Sequence, residues 1–455
     1  MQAPKCRRKG VLPTLFSNKA LRDLIIPLFL EQLLLALVGL ADVFVVGFVG
    51  EAAVSGVSLV NAFNVIFINL FVALAAGGAV VISQYIGRKD LPKARASASQ
   101  LLTASLLFSV VSSALVLVFN QRLMLLLFGR VEPAVMEACV TYLRISAYSY
   151  PALAIYNAGS ALYRSLGKTR PSMYISILAN LINVVGNCLG VFVFHAGVAG
   201  VAWPSLVARS FSAVVMTALC FSRVNPVWYV KDWIFRLDGA LQHTILRIAI
   251  PNGVESGIFQ LVKVALSSVV ALFGTYQIAA NGVAQSIWSV ASLVCVAMGP
   301  VYITVIGQCM GAGDIAQADY YFHKLTKITL FFAIGWNALV FAATPVLLSF
   351  YALEPQTKSL TLLLVLIHNI FSALVFPFAD PLGKGLRACG DVNFTMATSL
   401  FTTLGVRLCF SILFALVLHQ GVLGIAYAMC LDWTIRGLIF IWRYKKGSWE
   451  TCRVI

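Results

Sequence analysis

The sequence repeats itself. Residues 15–222 recur as residues 239–446 at an offset of 224 positions, and both copies are apolar almost throughout. Pro27 and Glu31 return as Pro251 and Glu255. Gln84, Gly87, Asp90 and Ala94 return as Gln308, Gly311, Asp314 and Ala318, and Gly197, Val198, Gly200 and Ala202 return as Gly421, Val422, Gly424 and Ala426. A chain made of two copies of one apolar segment is expected to fold as two related halves. Duplicated membrane bundles of this kind are the architecture of alternating-access carriers, whose binding sites lie where the halves meet.

The expected solvent is lipid. With 60% apolar residues, 11% charged residues and a mean hydropathy of +0.90, the chain carries under half the roughly 25% charge of a soluble domain. Stretches of about 20 apolar residues, enough to cross the hydrocarbon core, are predicted near 20–46, 54–83, 95–120, 133–160, 172–194 and 197–222, then near 243–272, 278–308, 326–350, 358–382, 393–418 and 421–442. Each is predicted to be a helix, which satisfies its own backbone polar groups where no water can. Because six spans make an even number, both halves enter the membrane from the same side, so the repeat is parallel, about an axis along the membrane normal. The expected fold is all-α and integral to the membrane, with twelve transmembrane helices in two six-helix lobes. The N-terminal lobe covers 1–222, a cytoplasmic linker 223–242 and the C-terminal lobe 243–455. In the linker Trp228, Tyr229 and Trp233 alternate with Arg223, Lys231 and Arg236, a pattern suited to the headgroup layer.

Cations set the orientation. With both termini placed in the cytoplasm, most of the 33 Lys and Arg fall at the cytoplasmic ends, and the outer loops keep only Arg122, Arg130 and Lys358. The net charge of +16 then follows from topology and from contact with anionic headgroups, and no nucleic-acid partner is expected. The basic start, with Lys5, Arg7, Arg8 and Lys9 ahead of a full-length span, reads as an uncleaved start-transfer helix. Short termini point to a bacterial cell membrane, and a monomer is expected.

Nothing in the chain looks enzymatic. The ten Cys contain no C-x-x-C pair, and His195, His243, His323, His368 and His419 have no metal-ligand spacing, so no disulfide, metal or cofactor is expected. There is no phosphate loop either, which leaves an ion gradient or the substrate's own gradient to drive transport.

An ionisable group inside a span costs about 2.5–3.5 kcal/mol on insertion scales, so each needs a reason. The first copy holds Glu31, Asp42, Arg144 and Arg209, and the second holds Glu255, Lys263, Asp380, Arg407 and Asp432. Only Glu31 and Glu255 are duplicates, which suggests that the halves divide their work. Asp42 leads the candidates. It lies about 22 Å of helix beyond Pro27, where the span is expected to kink, and it shares a helical face with Glu31. Asn180, Asn183 and Asn187 line one face of the fifth span. A carboxylate with several amide oxygens can hold a proton or a desolvated Na⁺. The alternative is a set of hydrogen bonds that only locks helices together. Glu31 and Glu255, each four residues after a proline, read either as acceptors for donors freed by the break or as ion or ligand contacts. Lys263 is expected to pair with Asp380 or to face substrate, Arg407 to pair with an acidic neighbour, and Asp432 to pair with Arg436 one turn on.

Two related motifs, VISQYIGRKD (81–90) and VIGQCMGAGD (305–314), read as helix ends closed by glycine. Together with GLADVFVVGFVG (39–50) and GVAGVAWPSLVARS (197–210), they resemble the multidrug and toxic compound extrusion (MATE) family over essentially the whole chain. The resemblance implies two lobes forming a V around a central cavity. It also implies export of mostly cationic, amphipathic compounds in exchange for Na⁺ or H⁺. Asp42 matches the family's first-span Asp, which titrates or coordinates the ion, and Pro27 matches the point at which that span bends. Asn183 matches a family Asn, and Ser205 stands where the family has Thr. Asn187 stands where many members carry a second Asp, which leaves Asp42 as the only acid nearby. Glu255 matches a seventh-span Glu that is a cation ligand in one branch, whose tenth-span Asp falls on Phe376, one turn before Asp380.

Two other classes compete. A flippase of lipid-linked oligosaccharides would need a cationic cavity, to which Arg144, Arg209, Lys263 and Arg407 could contribute. A membrane receptor or scaffold would need neither duplicated halves nor buried acids.

Overall fold

The computed structural model describes residues 15–129, 131–349 and 353–455, without the side chains of Leu40 and Val43. Lys5, Arg7, Arg8, Lys9 and Arg130 lie outside the described residues. All regular structure among the described residues is helical. The first three spans are Asn18–Gly47, Glu51–Gly87 and Leu91–Phe128; the fifth and sixth are Arg170–Val193 and Ala199–Phe221. In the second copy they are Gly239–Phe273, Thr275–Gly311, Ile315–Ser349, Pro355–Leu374, Val392–Val417 and Val422–Lys445. These eleven helices are each long and apolar enough to cross a bilayer. The fourth crossing is made of two shorter helices, Pro133–Tyr148 and Tyr150–Ser165.

Prolines accompany the interruptions of the fourth and tenth spans. Pro151 opens the second half of the fourth span, and Pro377 and Pro381 follow breaks in the tenth, which continues as Phe376–Ala379 and Pro381–Cys389. A proline removes a backbone donor and disfavours helix at the residue before it. Pro27 behaves differently, because the first span runs through it unbroken. What it frees is the carbonyl one turn earlier, on Asp23, and the Thr169 hydroxyl donates there at 3.0 Å and to the Leu24 carbonyl at 3.2 Å.

The repeat is written in the backbone. A π-helical turn at Leu189–Val193 recurs at Leu413–Val417. His195 and His419 then take φ of 48° and 53°, and Gly197 and Gly421 take 58° and 57°.

Three large apolar cores define the architecture, beside a small fourth around Met429 and Trp433. One is shared between the copies: Leu21, Val81 and Leu101 of the first pack with Ile245, Val305 and Leu325 of the second. The others belong to one copy each, around Val45, Val60 and Leu143 in the first and Val262, Leu266 and Leu364 in the second. The lobes are therefore fused at the end that carries the linker and separate at the far end, which gives the V. At the fused end the glycine motifs face each other. A Cβ on Gly87 would overlap the Gln308 carbonyl, and one on Gly311 the Gln84 carbonyl. Gln84 donates to the Ala388 carbonyl at 2.8 Å, and Gln308 to the Ser165 carbonyl at 2.7 Å. The motifs thus do more than end helices, as the sequence suggested: they let two backbones touch across the lobe interface. The linker is strapped onto the third span. Arg95 stacks over Trp228 at 3.5 Å, and Gln100 donates to the carbonyls of Trp233 and Arg236.

Candidate functional site

Asp42 lies near the far end of the first span, half-buried against the fifth. Its Oδ1 accepts an N–H from Asn187 at 2.7 Å. The same Asn187 nitrogen reaches the Asn183 oxygen at 3.3 Å, and Asn183 donates to the Ser205 hydroxyl at 2.8 Å. Ser205 donates in turn to the Val201 carbonyl. One chain of hydrogen bonds therefore ties the first, fifth and sixth spans together and ends on a carboxylate. The Asn187 oxygen is buried with no partner. Arg209 is within electrostatic reach of Asp42, but its Nη1 donates to Ser149 Oγ at 2.7 Å, at the break in the fourth span. Tyr150, next to that break, donates to Asn64 at 2.7 Å. Asn180 is not drawn in, and its amide nitrogen is buried without a partner.

Glu31 shares the helix with Asp42 but not its surroundings. It accepts from Arg164 Nη2 and from the Tyr156 hydroxyl, both at 3.2 Å. Its role is that of an ion-pair acceptor across to the fourth span, not that of an acceptor for groups freed by Pro27. Glu255 repeats the arrangement with Arg387, which also donates to Asn252 at 3.0 Å. Sequence reasoning missed both cations, because Arg164 and Arg387 look like loop charges. Their near-equivalence under the 224-residue offset was the signal that links them.

The second lobe corrects two further expectations. Asp380 pairs with Lys384 at 2.7 Å, one turn on along its own span, and not with Lys263. Lys263 is exposed and has no carboxylate partner among the described residues. Arg407 has no acidic partner among the described residues either. Asp432 is the nearby acid, and it is held by Arg436 through both oxygens, at 2.8 and 3.1 Å, as the i, i+4 spacing predicts. Arg144 is exposed.

The repeat offset makes the contrast explicit. Asn183 corresponds to Arg407, Asp42 to Leu266, Asn64 to Trp288 and Arg209 to Trp433. Leu266 is buried in the second lobe's own core, and Trp288 stacks on Trp433 at 5.5 Å. Matched positions thus hold an acid with amides in one lobe, and a base with aromatic rings in the other.

Comparisons with known proteins bear on the family and the fold. The MatE family model matches residues 27–189 and again 251–413. The uncharacterized transporter YisQ of Bacillus subtilis is 25% identical, over 93% of each chain. The probable multidrug resistance protein YoeA of the same organism is 24% identical, over 98% of each. A solved structure of a multidrug resistance MATE family transporter of the MOP superfamily, in an outward-facing conformation, superposes with a TM-score of 0.89. It is 19% identical, over 95% of this chain and 96% of that one, and so speaks to the fold.

Proposed function

This chain belongs to the MatE family of multidrug efflux transporters, multi-pass membrane proteins, and from that premise we propose that it is an antiporter. It exports amphipathic organic compounds, cationic ones among them, in exchange for a proton bound at Asp42. One observation carries the reading. Of the five span carboxylates weighed above, Glu31, Glu255, Asp380 and Asp432 each hold a cation at hydrogen-bonding distance, while Asp42 has no ion-pair partner among the described residues. A carboxylate already paired has little reason to exchange its ion; an unpaired one in a lipid-surrounded lobe does.

The hydrogen-bond chain explains how occupancy at Asp42 would be felt elsewhere. Ionised, the carboxylate takes an N–H from Asn187. Protonated, it becomes a donor and favours a turned amide that presents the now unpartnered Asn187 oxygen. That reversal would pass through Asn183 to Ser205 and so alter the fit of the first span against the fifth and sixth. Thr169, filling the carbonyl freed by Pro27, marks the point on the first span where a bend costs least. With both termini in the cytoplasm of a bacterial cell, the open end of the V faces outward. Exchange requires proton and cargo to favour different states, because a ligand bound equally by both shifts nothing. The same unpartnered oxygen favours a second reading, in which Na⁺ is the coupling ion and Asn187 one of its ligands.

The test is export of a cationic dye from proteoliposomes under separately imposed H⁺ and Na⁺ gradients. The wild type is expected to respond to the H⁺ gradient and Asp42→Asn to neither. Undiminished coupled export by that variant removes Asp42 from the mechanism.

A further inference from the structure

We propose that the C-terminal lobe carries an anion-binding site, built on Arg407 and Lys263, for the carboxylate, sulfonate or phosphate group of an amphipathic cargo. The inference rests on reading the chain as an exporter of such compounds and adds a class of cargo to it: molecules that are anionic, or zwitterionic with the cation directed to the other lobe.

Arg407 is 6% exposed, and its Nε and Nη1 have no hydrogen-bond partner among the described residues. A guanidinium is permanently charged and presents five donors in a fork that matches carboxylate or phosphate. Burying it without an anion is strongly unfavourable unless an anion arrives. Its guanidinium lies over the Phe259 ring of the seventh span, at 5.0 Å, which holds the group by cation–π attraction without neutralising it. Lys263 lies one turn beyond Phe259, exposed and close enough for the two like charges to oppose each other. The carboxylate within reach, Asp432, is held by Arg436 through both oxygens, and that guanidinium also donates to Thr402 at 3.0 Å and Thr403 at 2.9 Å. His368 is 1% exposed, lies in the field of Arg407 and has both ring nitrogens without a partner. Two neighbouring cations with no carboxylate in contact among the described residues, beside the unpartnered imidazole of His368, are completed by an incoming anion.

A merely structural Arg407 would hold helices together and show no preference for charge in a ligand. Binding without any ion gradient separates the two cases, and separates this proposal from the coupling role of Asp42. The full chain is placed in phosphatidylcholine nanodiscs and titrated calorimetrically with naphthalene-1-sulfonate and, as its neutral counterpart, naphthalene-1-sulfonamide. The sulfonate is expected to bind at least about tenfold more tightly, as a charge-assisted, bidentate contact should. Arg407→Gln is expected to remove that preference and Lys263→Gln to reduce it several-fold. Equal affinities for the two probes in the wild type overturn the proposal, as does a preference that survives both substitutions. Should Arg407→Gln fail to fold, Lys263→Gln, on an exposed position, still decides. Repeating the titration with phosphatidylglycerol in the discs identifies the occupant. Unchanged sulfonate affinity assigns the site to cargo, and a selective fall overturns that in favour of a lipid phosphate.

Discussion

The two lobes share a backbone plan down to a π-turn and a left-handed histidine, yet the same positions carry opposite chemistry. In the first lobe Asp42 meets Asn187, which in turn reaches Asn183, and among the described residues no cation closes on the carboxylate. In the second, Arg407 takes the place of Asn183, and Leu266 takes the place of Asp42. The ion pairs Glu31–Arg164 and Glu255–Arg387 are, by contrast, near-duplicates. What both copies keep stabilises the scaffold, and what differs is available for work. A duplicated gene frees one copy of a site to change sign while the packing that both copies need stays fixed.

The largest effect should come from erasing the difference at its centre. Asp42→Asn is expected to reduce gradient-driven dye export to background in proteoliposomes, whereas Asp380→Asn, which breaks a pair with Lys384, should lower thermal stability and leave gradient dependence in place. Next is a transplant of the second lobe's chemistry into the first. Asn183→Arg puts a guanidinium beside Asp42, and the resulting ion pair should cut coupled export at least about tenfold by holding the carboxylate ionised. Export at wild-type rates would mean that the amide chain does not govern the site. Smaller effects are expected for features common to both lobes. Gly87→Ala forces a methyl onto the Gln308 carbonyl and should cost about 1–3 kcal/mol, read as a lower melting temperature and as maleimide access to Cys309, which is otherwise buried at the fused end. Smallest is Thr169→Val, which deprives the Asp23 carbonyl of its donor and should cost about 1 kcal/mol, measured by thermal unfolding of the purified protein.

Much of this was legible in the residues. The offset and the apolar runs gave twelve crossings, including the fourth, whose two halves are each too short to be read as a span alone. The i, i+4 spacing gave Asp432–Arg436, and the one-face spacing of Asn183 and Asn187 placed both on the path to Asp42. Asn180, on the same face by spacing, remained outside the chain, because a helical face is broad and a hydrogen bond is not. Pairings between distant spans were not legible. Lys263 and Asp380 are complementary on paper, but Lys384 lies one turn from Asp380, and a local partner wins over one that needs two helices brought into register.

The sequence by itself determined that the chain is two copies of one membrane-embedded bundle and that a few of its charges have no counterpart in the other copy, since periodicity, hydropathy and repetition are properties of a string. Only the tertiary structure decided which of those charges are neutralised. Neutralisation depends on distances of a few ångströms between helices far apart in the chain, and those distances are set by how side chains pack across the whole lobe.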